Sequence, residues 1–199
     1  IGGLMDEKGP DQFVLGLEES HGYLAGQYAR DKDGALAAML MAEAAARAKA
    51  AGKSVYEKLE DLFWQHGYHA EHVLNLQMEG SEGMGRMMAL MQQFRDRPPQ
   101  MLAGIPVAAV RDYQNLVVRT AAGEVRPLAG PQGDLVMLDL AAEGNYVAVR
   151  PSGTEPKVKF YMFTYVPPEQ LADLEQTKQE MAQRLNGYYA DLKAFADAV

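Results

Sequence analysis

Apolar residues near the start of the chain form a short run that ends in a polar segment. Phe13-Val14-Leu15 is bounded by Gly16, and this pattern predicts a buried strand. The strand would lead into the polar residues at positions 18–22. Open α/β sheets bind ligands at the carboxyl ends of their strands, so this segment is a candidate binding loop.

Two helices are predicted to follow the strand. Asp33 is placed to cap a helix that reaches about Ala51. Ser54 and Glu57 have the spacing of a capping box, in which each residue satisfies a free N–H group of the other. The second helix would end near Gly67, because glycine is common just after a helix.

From residue 68 onwards, the apolar residues no longer follow helical spacing alone, and stretches with the alternation of strands appear. Residues 68–78 are predicted to be extended, and Ser81 to cap a helix that reaches Asp96 before two prolines. Residues 120–134 are rich in glycine and proline and predict an exposed connection. A last helix is predicted from about Pro168. The predicted strands of this part are Ile105–Val110, Leu135–Leu140, Tyr146–Val149 and Val158–Val166.

The order of these elements predicts two domains. Residues 1–66 form a partial α/β unit. Residues 67–199 form a self-contained α+β domain with an antiparallel or mixed sheet.

The composition of the chain excludes some classes of function but does not identify one. The 199 residues are 48% hydrophobic, enough to bury a core, and carry a formal net charge of -8. An acidic chain lacks the basic face of a nucleic-acid-binding protein, and no apolar run is long enough to cross a membrane. There is no cysteine, which is compatible with a cytoplasmic location. Any site for an anion must therefore be built from local groups.

The segment from Arg150 to Pro156 has the chemistry of a phosphate-binding loop. Arg150 offers a planar fork of donors that matches a phosphate, and Ser152 and Thr154 add hydroxyl donors. Gly153 is expected to let the backbone turn so that N–H groups point inward. The flanking prolines restrict the loop and lower the entropy cost of binding. The alternative is an ordinary hairpin with a solvated arginine, and the full seven-residue pattern favours phosphate.

The strand after this loop has two different faces. Lys157 and Lys159 lie two residues apart and share one face, where Lys159 can add positive charge to the phosphate site. Val158, Phe160 and Met162 are predicted to face the core.

The polar segment after the first strand suits a sugar. Glu18 and Ser20 are two residues apart, so in an extended loop they point the same way. A carboxylate and a hydroxyl together can bind neighbouring sugar hydroxyls. Lys32 precedes the next helix and can reach a phosphate or hydroxyl. A solvated acidic turn explains the same residues equally well.

Three stretches together resemble the α-D-phosphohexomutase superfamily, which includes phosphoglucomutases and phosphomannomutases. They are GLEESHG at residues 16–22, KDG at residues 32–34 and RPSGTEPKVKFY at residues 150–161. The resemblance extends over nearly the whole chain. It departs from the common order Glu-x-Ser-Gly-His, because His21 precedes Gly22 here, and no role is transferred to His21.

The resemblance implies a four-domain enzyme of which this chain is the carboxyl-terminal part. Residues 1–66 would end the third domain, with Glu18, Ser20 and Lys32 at the sugar. Residues 67–199 would be the fourth domain, which has a TATA-binding-protein-like fold with helices on one side of the sheet. The expected phosphate ligands are Arg150, Ser152, Gly153, Thr154 and Lys159.

The implied reaction interconverts hexose 1-phosphate and hexose 6-phosphate through a phosphoserine and a hexose 1,6-bisphosphate intermediate. The phosphoserine and the Mg²⁺ loop belong to the first two domains, so the chain is expected to carry no catalytic residue, to bind no metal and to be inactive alone. The alternatives are a non-catalytic sugar-phosphate-binding module, a phosphopentomutase and a hexose-bisphosphate synthase. The expected partner is a phosphosugar, with neither nucleic acid nor membrane.

Three histidines, His66, His69 and His72, have a spacing that suggests a metal site on a helix. Gly67 interrupts any helix at this point, so we interpret them as surface or hinge histidines.

Overall fold

Two units, which divide between Leu62 and Phe63, make up the part of the chain that the computed structural model describes, residues 2–18 and 22–199. In chain order the first unit contains α1 (Gly2–Lys8), β1 (Leu15–Glu18), β2 (Gly22–Ala25), α2 (Gly34–Ala50) and most of α3 (Val55–His66).

Both predicted helix starts are confirmed by their hydrogen bonds. The Asp33 carboxylate accepts from the backbone N–H groups of Ala35 and Leu36 at 2.8 and 3.1 Å. In the capping box, the Ser54 N–H donates to the Glu57 carboxylate at 2.7 Å, and the Glu57 N–H donates to Ser54 Oγ at 3.1 Å. These contacts satisfy N–H groups that the first turn of a helix leaves free.

The apolar run at residues 13–15 is not the buried strand that the pattern predicts. The strand begins at Leu15 and runs through Gly16 to Glu18, paired antiparallel with β2. Val14 is 82% exposed and Leu15 is 52% exposed. Within the described residues β1 has a single neighbouring strand, and a two-stranded hairpin has too little surface to cover these side chains.

The second unit is built on an antiparallel sheet. Its strands follow the order β3-β10-β9-β8-β5-β6-β7, and β4 pairs with β5 at one side. The elements are β3 (Tyr68–Gln77), α4 (Gly83–Asp96), β4 (Met101–Leu102), β5 (Ile105–Asp112), β6 (Val117–Thr120), β7 (Val125–Pro127), β8 (Val136–Leu140), β9 (Tyr146–Pro151), β10 (Lys157–Val166) and α5 (Leu174–Asp197).

One hydrophobic core holds the two long helices of this unit to the sheet. Phe94 of α4 and Leu192 of α5 are fully buried together with the inward side chains of the central strands, such as Val149 and Phe160. This arrangement confirms the predicted α+β architecture, an antiparallel sheet with helices. No helix in residues 2–18 or 22–199 has the length and apolar character needed to cross a bilayer.

Two local predictions are wrong and a third is incomplete. The connection at 120–134 is largely exposed as predicted, but it contains β7, and β6 leads into it. Helix α4 begins at Gly83 after Glu82, and Ser81 does not cap it. The prediction of a last helix from Pro168 mistakes a short 3-10 turn for its first turn. Helix α5 begins at Leu174, where the Asp173 carboxylate accepts from the Gln176 N–H at 2.9 Å.

Candidate phosphate site

The predicted phosphate loop joins β9 to β10 and is tied down at both ends. The Ser152 N–H donates to the Lys157 carbonyl at 2.8 Å. The carbonyl of Pro156 accepts from the Met78 N–H at 2.8 Å, which attaches the loop to the end of β3. A loop held by such contacts loses little further freedom when a ligand binds.

Gly83 lets the start of α4 pack directly against this loop. A Cβ atom at position 83 would lie 2.0 Å from the Met78 carbonyl oxygen and 3.1 Å from Pro156 Cβ. Backbone atoms cannot yield at such distances, so any larger residue must push the helix and the loop apart. This role of Gly83 could not be predicted from the sequence, because the contact with Pro156 joins residues far apart in the chain.

We expect Gly83→Ala to lower the free energy of unfolding by about 1–3 kcal/mol, the usual cost of overpacking. Gly85→Ala is the matched control, because nothing lies within 4 Å of a Cβ atom there. The control should be neutral or stabilise by up to about 1 kcal/mol through helix propensity. Urea unfolding followed by circular dichroism measures both. Equal stability of the two variants would contradict the packing role.

The charged groups of the loop lie on the sheet face opposite the core. Arg150 is exposed and stands directly across from Lys159 in the antiparallel register. Neighbouring residues of an antiparallel pair have their Cβ atoms about 5 Å apart, so the two side chains leave the sheet at adjoining positions. Within the described residues, the Arg150 side chain makes no hydrogen bond or ion pair. Lys159 Nζ lies 5.8 Å from the centre of the Tyr161 ring.

The two lysines of β10 differ in their partners. Lys157 forms an ion pair with Glu155 at 2.5 Å. The hydrogen bond and charge of Lys157 lower the pKa of the Glu155 carboxyl, so this carboxylate stays ionised at neutral pH. The predicted core face of this strand is confirmed, since the side chains of Val158, Phe160 and Met162 are fully buried.

The hydroxyl donors and the glycine of the loop are accessible. Thr154 and Gly153 are exposed and Ser152 is half-buried. Gly153 does not have a left-handed φ, so the turn does not require glycine, contrary to our expectation. A Cβ atom at position 153 would meet nothing within 4 Å, so the loop backbone is open to an approaching ligand.

The predicted sugar-binding residues belong to the first unit. Glu18 is the last residue of β1, and Ser20 and His21 lie outside the described residues. Lys32 is in the exposed loop just before α2, where its backbone N–H donates to the Asp31 carboxylate at 2.7 Å. The Asp33 N–H donates to the Tyr23 carbonyl at 2.7 Å, which attaches this loop to β2. The sugar-binding role of the three residues stays a prediction.

The histidines do not form a metal site in the described ranges. His69 and His72 lie in β3 three residues apart, which places them on opposite faces of the strand. No group of three or more His, Asp or Glu residues that could hold a metal ion is found in residues 2–18 and 22–199.

Comparison with known proteins identifies the family. Residues 1–65 match the family model described as phosphoglucomutase/phosphomannomutase, alpha/beta/alpha domain III. The phosphoglucomutase of Staphylococcus haemolyticus (strain JCSC1435) is 32% identical over 178 residues, which are 89% of this chain and 31% of that protein. That of Staphylococcus aureus (strain USA300) is 33% identical over 150 residues, 75% of this chain and 27% of that protein.

A solved structure shows the same fold. It is the open form of the exocytosis-sensitive phosphoprotein pp63/parafusin, a phosphoglucomutase from Paramecium, with a TM-score of 0.60 and 20% identity. The match covers 98% of this chain and 32% of that one. The chain therefore belongs to the α-D-phosphohexomutase superfamily and matches the carboxyl-terminal portion of its members, as the resemblance indicates. It spans about a third of the length of these relatives.

Proposed function

We propose that the chain is the part of a phosphohexomutase that positions the substrate during the interconversion of hexose 1-phosphate and hexose 6-phosphate. In the first unit, Glu18, Ser20 and Lys32 bind sugar hydroxyls. In the second unit, the loop between β9 and β10 binds the phosphate that is not being transferred. The whole protein is then an isomerase, which we assign to the cytoplasm.

The proposal rests mainly on the exposure of Arg150 and on its lack of a carboxylate partner among the described residues. Its guanidinium is exposed at a loop that backbone hydrogen bonds hold at both ends, and no carboxylate in the described residues neutralises it. Lys159 adds a second positive charge directly across the strand pair. An unneutralised guanidinium beside a lysine and a rigid turn is suited to a dianionic phosphate.

The reaction requires this part of the enzyme to position the substrate rather than to react with it. Phosphoryl transfer depends on alignment and charge neutralisation, and a fixed anchor for one phosphate aligns the other. A hexose 1,6-bisphosphate intermediate presents a phosphate at either end, and the same anchor accepts both. The proposal places the nucleophile and the Mg²⁺ site that the superfamily implies outside this chain.

Replacement of Arg150 by alanine tests the anchor. Hydrogen bonds to charged groups contribute about 1.5–3 kcal/mol, so the Kd for glucose 1-phosphate should rise about tenfold to a hundredfold. Isothermal titration calorimetry of the 199-residue chain measures this Kd. Competition by mannose 1-phosphate and ribose 1-phosphate then tests which class of sugar is preferred.

Arg126→Ala is the matched control for this experiment. Arg126 is an exposed arginine of β7, at the opposite side of the sheet, and its removal leaves the net charge the same as in Arg150→Ala. It should leave the Kd unchanged. An Arg150→Ala chain that binds as tightly as the Arg126→Ala chain would refute the proposed phosphate anchor.

A further inference from the structure

A second groove lies on the same sheet face, at the end away from the phosphate loop. Its volume is about 730 Å³. Tyr146 of this groove begins β9, whereas Arg150 lies four residues further along the strand, about 13 Å away in an extended chain. Its lining includes the side chains of His69, Glu71, Glu143, Tyr146, Phe163 and Tyr165.

Two pairs of stacked rings form the floor of the groove. Tyr146 and Phe163 are cross-strand neighbours with ring centres 4.4 Å apart and planes inclined by 21°. His69 and Tyr165 are also cross-strand neighbours, with centres 4.5 Å apart and planes inclined by 29°. The rings of each pair cover one face of each other, and a flat group that enters the groove can stack on an outer ring face.

Close backbone contacts hold this floor in place. Tyr165 is packed between Gly144 and Gly67, where a Cβ atom would approach the ring to 2.6 and 2.5 Å respectively. The Tyr165 hydroxyl donates to the His66 carbonyl at 3.3 Å. The ring therefore has little freedom to move before a ligand arrives, which lowers the entropy cost of binding.

Two carboxylates line the groove beside the aromatic side chains. Glu71 is the cross-strand neighbour of Phe163, and Glu143 lies in the turn before β9. Both are exposed, and within the described residues neither carboxylate makes an ion pair or a hydrogen bond. Asp139 differs, because it pairs with Arg111 at 2.5 Å. Burial is the main cause of a raised pKa at Tyr146; the charge of Arg111 lowers this pKa, and the charges of Glu71 and Asp139 raise it.

We propose that this groove binds a guanidinium group. The group is planar and cationic, so it stacks on aromatic faces while its N–H fork donates to a carboxylate. The stacked rings supply the flat surface, and Glu71 and Glu143 supply acceptors of matching charge. The site is separate from the proposed phosphate anchor and does not depend on the proposed function.

A titration with small probes tests this site on the 199-residue chain. N-acetyl-arginine amide should bind saturably, as measured by chemical-shift changes of the tyrosine and phenylalanine rings. N-acetyl-citrulline amide has nearly the same shape without the charge, and should bind at least about tenfold more weakly. A Gly-Arg-Gly peptide distinguishes the source, since tighter binding of the peptide indicates an arginine of a polypeptide and equal binding a free compound.

Paired variants locate the site. The double variant Glu71→Gln/Glu143→Gln should raise the Kd of N-acetyl-arginine amide about tenfold or more. Glu124→Gln, an exposed glutamate elsewhere in the unit, and Arg150→Ala should not change it. Thermal melts confirm that each variant is folded. Absence of saturable binding by the arginine probes, equal binding of the citrulline probe, or full affinity in the double variant would each overturn the assignment.

Discussion

Replacing Asp112 by alanine is expected to lower the free energy of unfolding of the second unit by about 3–5 kcal/mol, the range for breaking a buried charge pair. Asp112 is fully buried at the end of β5, and its carboxylate faces Arg95 of α4, which is 7% exposed. The same carboxylate accepts from Asn115 Nδ2 at 2.7 Å. Its removal leaves the Arg95 charge inside the protein, and among residues 2–18 and 22–199 Asp134 is then the one remaining carboxylate partner.

Asp197→Ala provides the control. Asp197 also pairs with a cation, Lys193, but both side chains are about half exposed and lie one turn apart on α5. Such surface pairs contribute only about 0.3–0.5 kcal/mol. Urea unfolding should therefore separate the two variants by several kcal/mol. Equal losses would show that the buried network around Asp112 contributes no more than a surface pair.

The contribution of Asp112 to the free energy of unfolding should decrease as the pH falls. Burial opposes ionisation of this carboxyl, but hydrogen bonds from Asn115 and Gln114 and the charge of Arg95 together outweigh it, and the net result is a pKa below the usual value. A group with a lowered pKa in the folded state stabilises fully above its unfolded pKa, about 3.9 for aspartate. This stabilisation is lost as the pH falls through the lower folded pKa. The difference between wild type and variant should accordingly shrink only in strong acid.

Features set by neighbouring residues could be predicted from the sequence. The Asp33 cap and the Ser54–Glu57 capping box depend on residues two or three positions apart, and both form as expected. The alternation in β10 also predicts correctly which side chains enter the core, because strand geometry alone fixes the period. The proposed phosphate loop was found in the same way, since its donors are contiguous.

Features set by distant partners could not be predicted. The exposure of Val14 depends on what lies beside the hairpin, whereas its apolar character suggests burial. Strand β7 is exposed along its length and forms only because β6 presents an edge to it. The aromatic groove requires the register between β3 and β10, which are about ninety residues apart in the chain. No local pattern encodes these pairings.

Replacing Asn145 by alanine is expected to have an effect of similar size, about 3–4 kcal/mol, because each buried group left without a partner costs about 1–3 kcal/mol. Asn145 is 3% exposed. Its amide oxygen accepts from the Tyr188 hydroxyl at 3.2 Å and from Arg184 at 3.0 Å. Its amide nitrogen donates to the carbonyls of Glu143 and Tyr165 at 2.8 and 3.1 Å.

Because of the position of Asn145, its replacement should affect both the stability of the unit and binding at the aromatic groove. It connects α5 to the turn before β9 and to the end of β10, and the last two support the aromatic groove. We expect the variant to unfold at lower urea concentration and also to bind N-acetyl-arginine amide more weakly. Asn186→Ala, an exposed asparagine of α5, should leave both properties unchanged. Wild-type stability in the Asn145→Ala chain would contradict the network.

The Tyr188 hydroxyl allows the same network to be tested by pH. Burial raises its pKa to about 12, although the charge of Arg184 opposes the shift. Since the pKa is raised above the unfolded value of about 10, the contribution of the neutral phenol is fully present below pH 10. It is lost as the pH rises towards the folded pKa. Tyr188→Phe removes this titration, so its unfolding free energy should fall less steeply than that of the wild type above pH 10. If the unfolding free energies of the variant and the wild type depended on pH in the same way, the phenol would be exposed to water and not hydrogen-bonded to Asn145.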